Sequence, residues 1–291
     1  MTSPETRRPS SPPPSSPEPF GARLRRAMDT RGPLCVGIDP HPSLLTAWGL
    51  DDDVAGLERF THTVVDALAD RVAVLKPQSA FFERFGSRGV AVLERAIADA
   101  RSAGALVLTD AKRGDIGSTM AAYAAAYLDP GSPLFSDAVT VSPYLGFGSL
   151  RPALDAARSA GAGVFVLALT SNPEGAEVQR ATAAGGASVA QTVLDHIARE
   201  NAGARPLGSV GAVVGATLGE AGVNLSVGGP LLAPGLGAQG ATAEDLPRVF
   251  GDAVGNVVPS ISRGVLGHGP SAVALRESAA RETDRLRAVL G

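Results

Sequence analysis

The chain has 291 residues, 44% of them hydrophobic, with 26 basic and 29 acidic residues and a formal net charge of −3. That length suits one large domain or two ordinary ones, and the scattered basic residues argue against nucleic acid or an anionic membrane as the main partner. No apolar run reaches the roughly 18 residues of a membrane-spanning helix, and the single cysteine, Cys35, excludes an internal disulfide and suits a reducing cytoplasm.

Residues 1–19, MTSPETRRPSSPPPSSPEP, are rich in Pro and Ser and lack the apolar stretch of a secretory signal; they are expected to form a disordered tail. From residue 20 to 291 a single domain is expected, because short aliphatic runs begin to alternate with helical patterns. The runs are LCVGIDP (34–40), VAVLKPQ (72–78), LVLTDAK (106–112), AVTVSP (138–143), GVFVLALTS (163–171), VGAVVGAT (210–217), PLLAPG (230–235) and VVPSIS (257–262). Between them LERFTHTVVDALAD, VAVLERAIADARSAG and ASVAQTVLDHIAREN place apolar residues at i, i+3 and i+4. ARSAG occurs twice, ending a helix on the glycine that a left-handed cap favours. Strands apolar on both faces, each followed by a helix, predict a parallel sheet covered outside. Eight such units predict an α/β fold of the (β/α)8 TIM-barrel type, with its active site at the strand C-terminal ends; an open doubly wound sheet is the alternative.

The strand ends carry the polar residues: Asp39, Lys76, Asp110 with Lys112, Ser142, Ser171, the loop PGLGAQG and Arg263. Asp110 and Lys112 are two apart on a strand and share a face. A generic Asp-x-Lys is often only a solvated pair worth about 0–1 kcal/mol. The census of cations argues otherwise, because 24 of the 26 are arginine and the only lysines are Lys76 and Lys112. Arginine is a wide fork that does not readily release a proton, whereas lysine is a compact charge that can act as an acid. The two lysines kept in an arginine-rich chain mark adjacent strand ends where chemistry calls for an ammonium.

Asp115, in the turn GDIG, fits a helix-start residue as well as a functional one. Pro234 to Gly240 contains a formal G-x-G-x-x-G, but it follows the seventh strand and not the first, so a dinucleotide fingerprint is rejected. Its glycines still allow backbone N–H groups to approach an anion, at the place where such barrels bind phosphate, and Arg263 could clamp the same group. The histidines, His41, His62, His196 and His268, have no metal-ligand spacing, and neither HExxH nor CxxC is present, so no metal and no cofactor are expected. Cys35, inside an apolar strand, reads as a core residue.

The motifs GIDP, LKPQ, TDAKRGDI, LTS and PGLGAQG, with the arginine after strand eight, resemble the orotidine 5'-phosphate decarboxylase family, in its long-chain bacterial branch, from about residue 34 to 266. The resemblance implies conversion of orotidine 5'-monophosphate to uridine 5'-monophosphate in the cytoplasm. It implies that Asp39 and Lys76 hold the ribose hydroxyls and the charge array, that Asp110 faces the reacting carboxylate, and that Lys112 donates the proton. Asp115, Ile116 and Thr119 would reach into the site of a second subunit of a homodimer. Ser171 would contact the pyrimidine edge, and Pro234, Gln239 and Arg263 would grip the phosphate. Departures are the tail, the long segment between Ser171 and Val210, and a serine before Arg263 where many relatives have glycine. A Mg²⁺-dependent sugar-phosphate decarboxylase or synthase on the same barrel carries an acidic ligand where this chain has Lys76. A catalytically silent nucleotide-binding barrel would not need the complete charge array.

Overall fold

The computed structural model describes residues 17–219, 221–237 and 240–290. In chain order the elements are α1 (Phe20–Arg31), β1 (Cys35–Ile38), α2 (Pro42–Ala47), α3 (Val54–Leu68), β2 (Val74–Pro77), α4 (Ser79–Glu83), α5 (Gly86–Ser102) and β3 (Leu106–Arg113). They continue with α6 (Gly117–Leu128), β4 (Ala138–Val141), α7 (Arg151–Ala160), β5 (Gly163–Leu169), α8 (Ala176–Gln179), α9 (Val189–Glu200) and β6 (Val210–Val214). The last are β7 (Leu231–Pro234), α10 (Leu246–Phe250), β8 (Val257–Ile261), α11 (Arg263–Leu266) and α12 (Ala272–Leu290).

All eight predicted strands form, and each pairs in parallel with the next. β1 closes onto β8 through Cys35 opposite Ser260 and Val36 opposite Ile261, which excludes the open sheet. The strands are mostly shorter than their apolar runs. β5 stops at Leu169 and β6 at Val214, because Ser171 and Ala216–Thr217 belong to the loops that leave the barrel. Of the expected tail, residues 1–16 lie outside the described residues; Pro17 and Glu18 lie against Gly161, the left-handed cap of α7.

Strand alternation divides the apolar residues into two cores. Outward-facing Val36, Leu75, Val107, Val139, Val164 and Leu231 pack beneath the helices. Inward-facing Cys35, Val74, Leu108, Phe165, Leu232 and Val258 fill the lower barrel, where Phe20, Leu24 and Met28 of α1 close the N-terminal end. Phe20 meets Phe165 edge to face at 6.0 Å. Cys35 is a core residue, as its sequence context implies, and burial pushes its thiol up to about 12.

The alternation also fixes the site. Two residues above Val74 on the inner face is Lys76, above Leu108 is Asp110, above Ala138 is Thr140, above Leu232 is Pro234 and above Val258 is Ser260. Five of the eight strands thus carry a polar residue or proline one step above an apolar layer.

At the opposite end Asp137, 2% exposed, joins α1 to the barrel. Its carboxylate accepts from Arg23 at 2.6 Å, from Arg101 at 3.3 Å and from the Val107 amide at 2.9 Å. Removing one member of such a buried cluster leaves charges and an N–H unpartnered. Asp137→Ala is expected to lower unfolding free energy by about 3 kcal/mol, read from urea titration.

Candidate active site

A cavity of about 260 Å³ opens at the C-terminal end of the barrel, with Asp39, Lys76, Asp110, Lys112, Pro234 and Arg263 among its walls. A larger cleft, of about 480 Å³, lies among α1, the segment between α3 and β2, and α12. Its arginines already cap backbone carbonyls, Arg31 at Gly104 (2.7 Å) and Arg276 at Ala67 (3.1 Å), so it reads as structural. Among the described residues, the barrel-end cavity gathers unpaired polar atoms with the two lysines.

Asp110 is the hub. One carboxylate oxygen, Oδ2, accepts from Lys76 Nζ at 3.1 Å, while Oδ1 accepts from Lys112 Nζ at 2.6 Å and from the Thr140 hydroxyl at 2.8 Å. Burial alone would raise its pKa, but the charges of Lys76 and Lys112 and the hydrogen bonds from Lys112 and Thr140 prevail and bring it down to about 2. Burial likewise opposes the charge of Lys76; Asp110 and Asp39 outweigh it and hold its pKa above the ordinary lysine value. The result is a row of alternating charges, buried Lys76 and Asp110 with Lys112 at the cavity, in which the carboxylate is shared.

Lys112 has φ 48°, the only non-glycine with positive φ among the described residues. A left-handed backbone costs an L-residue roughly 1–2 kcal/mol. The cause is a bulge: β3 and β4 are in register at Thr109 opposite Val139 but resume at Arg113 opposite Val141. This lifts Lys112 so that its Nζ returns to Asp110 while its side chain stays about half exposed to the cavity. Strain at a site-facing residue is consistent with function.

Asp39 faces Lys76 from β1's exit. Its Oδ2 accepts from Ser262 at 2.6 Å, and its Oδ1 is buried without a donor among the described residues. Gly37 makes this approach possible, because a Cβ there would lie 1.9 Å from Ser262 Oγ and 3.1 Å from Asp39 Oδ2. Gln78 also presents a buried acceptor, Oε1, without a donor. His41, stacked edge to face on Phe81 at 4.3 Å, lines the same wall. Arg263 is exposed at the cavity mouth, and its side chain makes no hydrogen bond or ion pair among the described residues. Gly235 and Gly237, with φ 110° and 73°, turn the loop after β7 beside it.

Of the residues expected from sequence, Asp39, Lys76, Asp110, Lys112, Pro234 and Arg263 share the cavity. Ser171 is exposed outside its lining, and Gln239 lies outside the described residues. Asp115, Ile116 and Thr119 lie beyond the end of β3, outside the lining; Ile116 is 63% exposed and Asp115 accepts its amide at 2.8 Å. Reading the sequence missed Gln78, Thr140, Ser260 and Ser262. Inner-face parity would have found Thr140 and Ser260, whereas Gln78 and Ser262 lie past the strand ends, where parity fails.

The sequence matches the family model "Orotidine 5'-phosphate decarboxylase / HUMPS family" over residues 32–278, and the chain belongs to this family. It is 72% identical over 271 residues to the orotidine 5'-phosphate decarboxylase of Streptomyces coelicolor, covering 93% of this chain and 98% of that one. It is 69% identical over 274 residues to that of Salinispora arenicola, covering 94% and 99%. A Streptomyces avermitilis crystal structure described as an orotidine 5'-phosphate decarboxylase superposes with TM-score 0.93 at 70% identity, covering 94% and 97%. The Leishmania donovani OMP decarboxylase structure gives TM-score 0.73 at 28% identity, covering 94% and 99%.

The sign of Asp110's shift sets a pH dependence. Its folded pKa is about 2 against an ordinary 3.8, so its stabilisation is complete above pH ~4 and is lost as pH falls through about 2. Asp110→Asn is expected to remove about 2 kcal/mol of stability at pH 7 and little at pH 2, measured by denaturant titration across that range.

Proposed function

We propose that this chain decarboxylates orotidine 5'-monophosphate to uridine 5'-monophosphate and CO2 in pyrimidine biosynthesis, with Lys112 as carbanion stabiliser and proton donor. The observation that carries the reading is the row Lys76, Asp110 and Lys112, anchored on two buried members, at a cavity whose mouth holds Arg263, its guanidinium unpaired among the described residues. The close decarboxylase relatives support the same reaction.

Breaking the bond from C6 of the pyrimidine to CO2 leaves the electron pair in the ring plane, where the π-system cannot take it up. The residues proposed for the site supply charge instead of an electron sink. The Lys112 ammonium faces the developing pair, lowers the barrier electrostatically and transfers a proton from Nζ to C6. It then regains its proton from water. Asp110 holds that nitrogen in place, and Lys76 keeps Asp110 ionised. Asp110 also disfavours the substrate carboxylate beside it, a secondary contribution.

Asp39 Oδ1 and Gln78 Oε1, two buried acceptors without donors, fit the two hydroxyls of the ribose. Arg263 would hold the phosphate bidentately, with Pro234 at the end of β7 and Gln239 of the following segment beside it, and Ser171 would take the pyrimidine edge once substrate draws its loop inward. Remote phosphate binding would then contribute to the barrier at C6.

The Mg²⁺-dependent sugar-phosphate reading requires an anionic ligand at the end of β2. There Lys76 stands 3.1 Å from the Asp110 carboxylate, and its charge repels a divalent ion. Among the described residues no three His, Cys, Asp or Glu side chains converge as a metal site. No helix of the described residues is long and apolar enough to cross a membrane, and a biosynthetic enzyme of this kind belongs in the cytoplasm.

The active unit is a homodimer with residues 20–291 of each chain acting as one catalytic domain. Ile116, Tyr144 and Leu145 are 63%, 77% and 51% exposed on the neighbouring loops after β3 and β4. Exposed apolar groups beside a catalytic rim suit a second copy of the chain. In that arrangement Asp115, Ile116 and Thr119 complete the partner's site.

EDTA-treated protein is expected to convert orotidine 5'-monophosphate, followed by loss of its ultraviolet absorbance. Lys112→Arg, which keeps charge but not a compact proton donor, should fall by at least about a hundredfold in kcat. Activity restored only by Mg²⁺, or a near-normal Lys112→Arg rate, would refute the reading. Mixing inactive Lys112→Ala with inactive Asp115→Ala should restore up to about a quarter of wild-type activity through mixed dimers with one intact site. Absence of recovery, with subunit exchange verified by mass, would remove the shared site.

A further inference from the structure

Thr140 is 1% exposed on the inner face of β4 and uses its hydroxyl twice. It donates to Asp110 Oδ1 at 2.8 Å and accepts the backbone N–H of Lys112 at 2.9 Å. Both partners belong to β3, on either side of Ala111, and both belong to the charge array. The amide it satisfies is that of the left-handed residue, at the bulge where the β3–β4 ladder skips register. A backbone N–H freed by such a bulge needs an acceptor, and no β4 carbonyl is in register to supply one.

We propose that Thr140 is a positioning residue for decarboxylation, locking the Asp110 carboxylate and the Lys112 backbone into one rigid unit. The proposal rests on the decarboxylase reading of the same site. Thr140 does not touch the reacting carbon; it acts through Lys112, whose ammonium does, and through Asp110, which holds that ammonium. Asp110 Oδ1 receives both the Thr140 hydroxyl and Lys112 Nζ, so the hydroxyl sets where that oxygen stands and hence where the ammonium points. The amide bond sets the other end of the same lysine. A β-branched side chain with few rotamers is suited to hold such a bridge. The hydroxyl spends its single proton on Asp110, so its lone pairs are the part directed at the amide.

Valine matches threonine in shape and lacks only the hydroxyl. Thr140→Val should fold and bind, yet leave Asp110 short of a donor and the Lys112 amide without an acceptor. The test is steady-state turnover of orotidine 5'-monophosphate by wild type, Thr140→Val and Thr140→Ser, with kcat followed from about pH 2 to 8 and thermal melts run alongside. We expect kcat to fall about ten- to a hundredfold in Thr140→Val, the range of one charge-assisted hydrogen bond. KM should change less than about threefold, because the group acts on the reacting geometry and not on ribose or phosphate. The acid limb of kcat, read by extending the profile down to about pH 2 where Asp110 titrates, should move to higher pH, since a carboxylate that loses a donor protonates more readily. Thr140→Ser, which restores the hydroxyl, should recover kcat to within about threefold of wild type.

A folded Thr140→Val with wild-type kcat and an unmoved acid limb overturns the proposal. So does a folded Thr140→Ser as slow as the valine variant. If neither Thr140→Val nor Thr140→Ala folds, the residue serves barrel stability alone and the proposal falls as well. Wild type that fails to turn over this substrate would sink the decarboxylase reading first, an outcome distinct from variants that behave like an active wild type.

Discussion

A single buried carboxylate organises this molecule's functional end. Asp110 stands on the inner wall of the barrel with a lysine on each side, and its two oxygens accept three donors from three different positions on β2, β3 and β4. Buried charges are tolerated only when paired and hydrogen-bonded. Lys76 could not stay charged in its pocket without Asp110, and Lys112 would have no reason to fold back from a half-exposed strand end. The strained backbone at Lys112 follows from the same requirement, since regular pairing would place residue 112 one step along the ladder.

The lower barrel supplies the rigidity this arrangement needs. An apolar layer of Val74, Leu108, Leu232 and Val258 lies one step beneath the polar ring, packed on Phe165 and on the helix that closes the end. Close-packed interiors resist displacement, so polar groups standing on this layer keep their relative positions. Asp137 anchors the closing helix from below through Arg23, using the neighbouring strand's amide as its third contact. Charge therefore serves two ends of one fold in different ways: at the bottom it fastens, at the top it is left partly unsatisfied.

Much of this was legible in the amino-acid order. Eight aliphatic runs separated by helical patterns gave the barrel, because strands buried on both faces cannot hide their period. The site was legible where a residue type was out of keeping with the chain, as with two lysines among 24 arginines, or where it followed a strand at its C-terminal end, as with Asp39 and Arg263. Thr140 was not, since a threonine in an apolar β-branched run has the propensity of its neighbours and only its partners give it away. Gln78 and Ser262 depend on how loops leave the barrel, which periodicity does not describe. Ser171 shows the converse: its run extends past the point where β5 ends, and the chain carries it away from the cavity. The glycine of GIDP could be seen as a motif, but its reason, room for Ser262 beside Asp39, is a contact between residues more than 200 positions apart.

Because Phe20, Leu24 and Met28 plug the amino-terminal end, the barrel is a blind well and not a tunnel. Nucleotide, departing gas and replacement water all cross the same aperture. Whatever settles over that aperture dries the floor beneath it, because the packed lower barrel offers water no second way in.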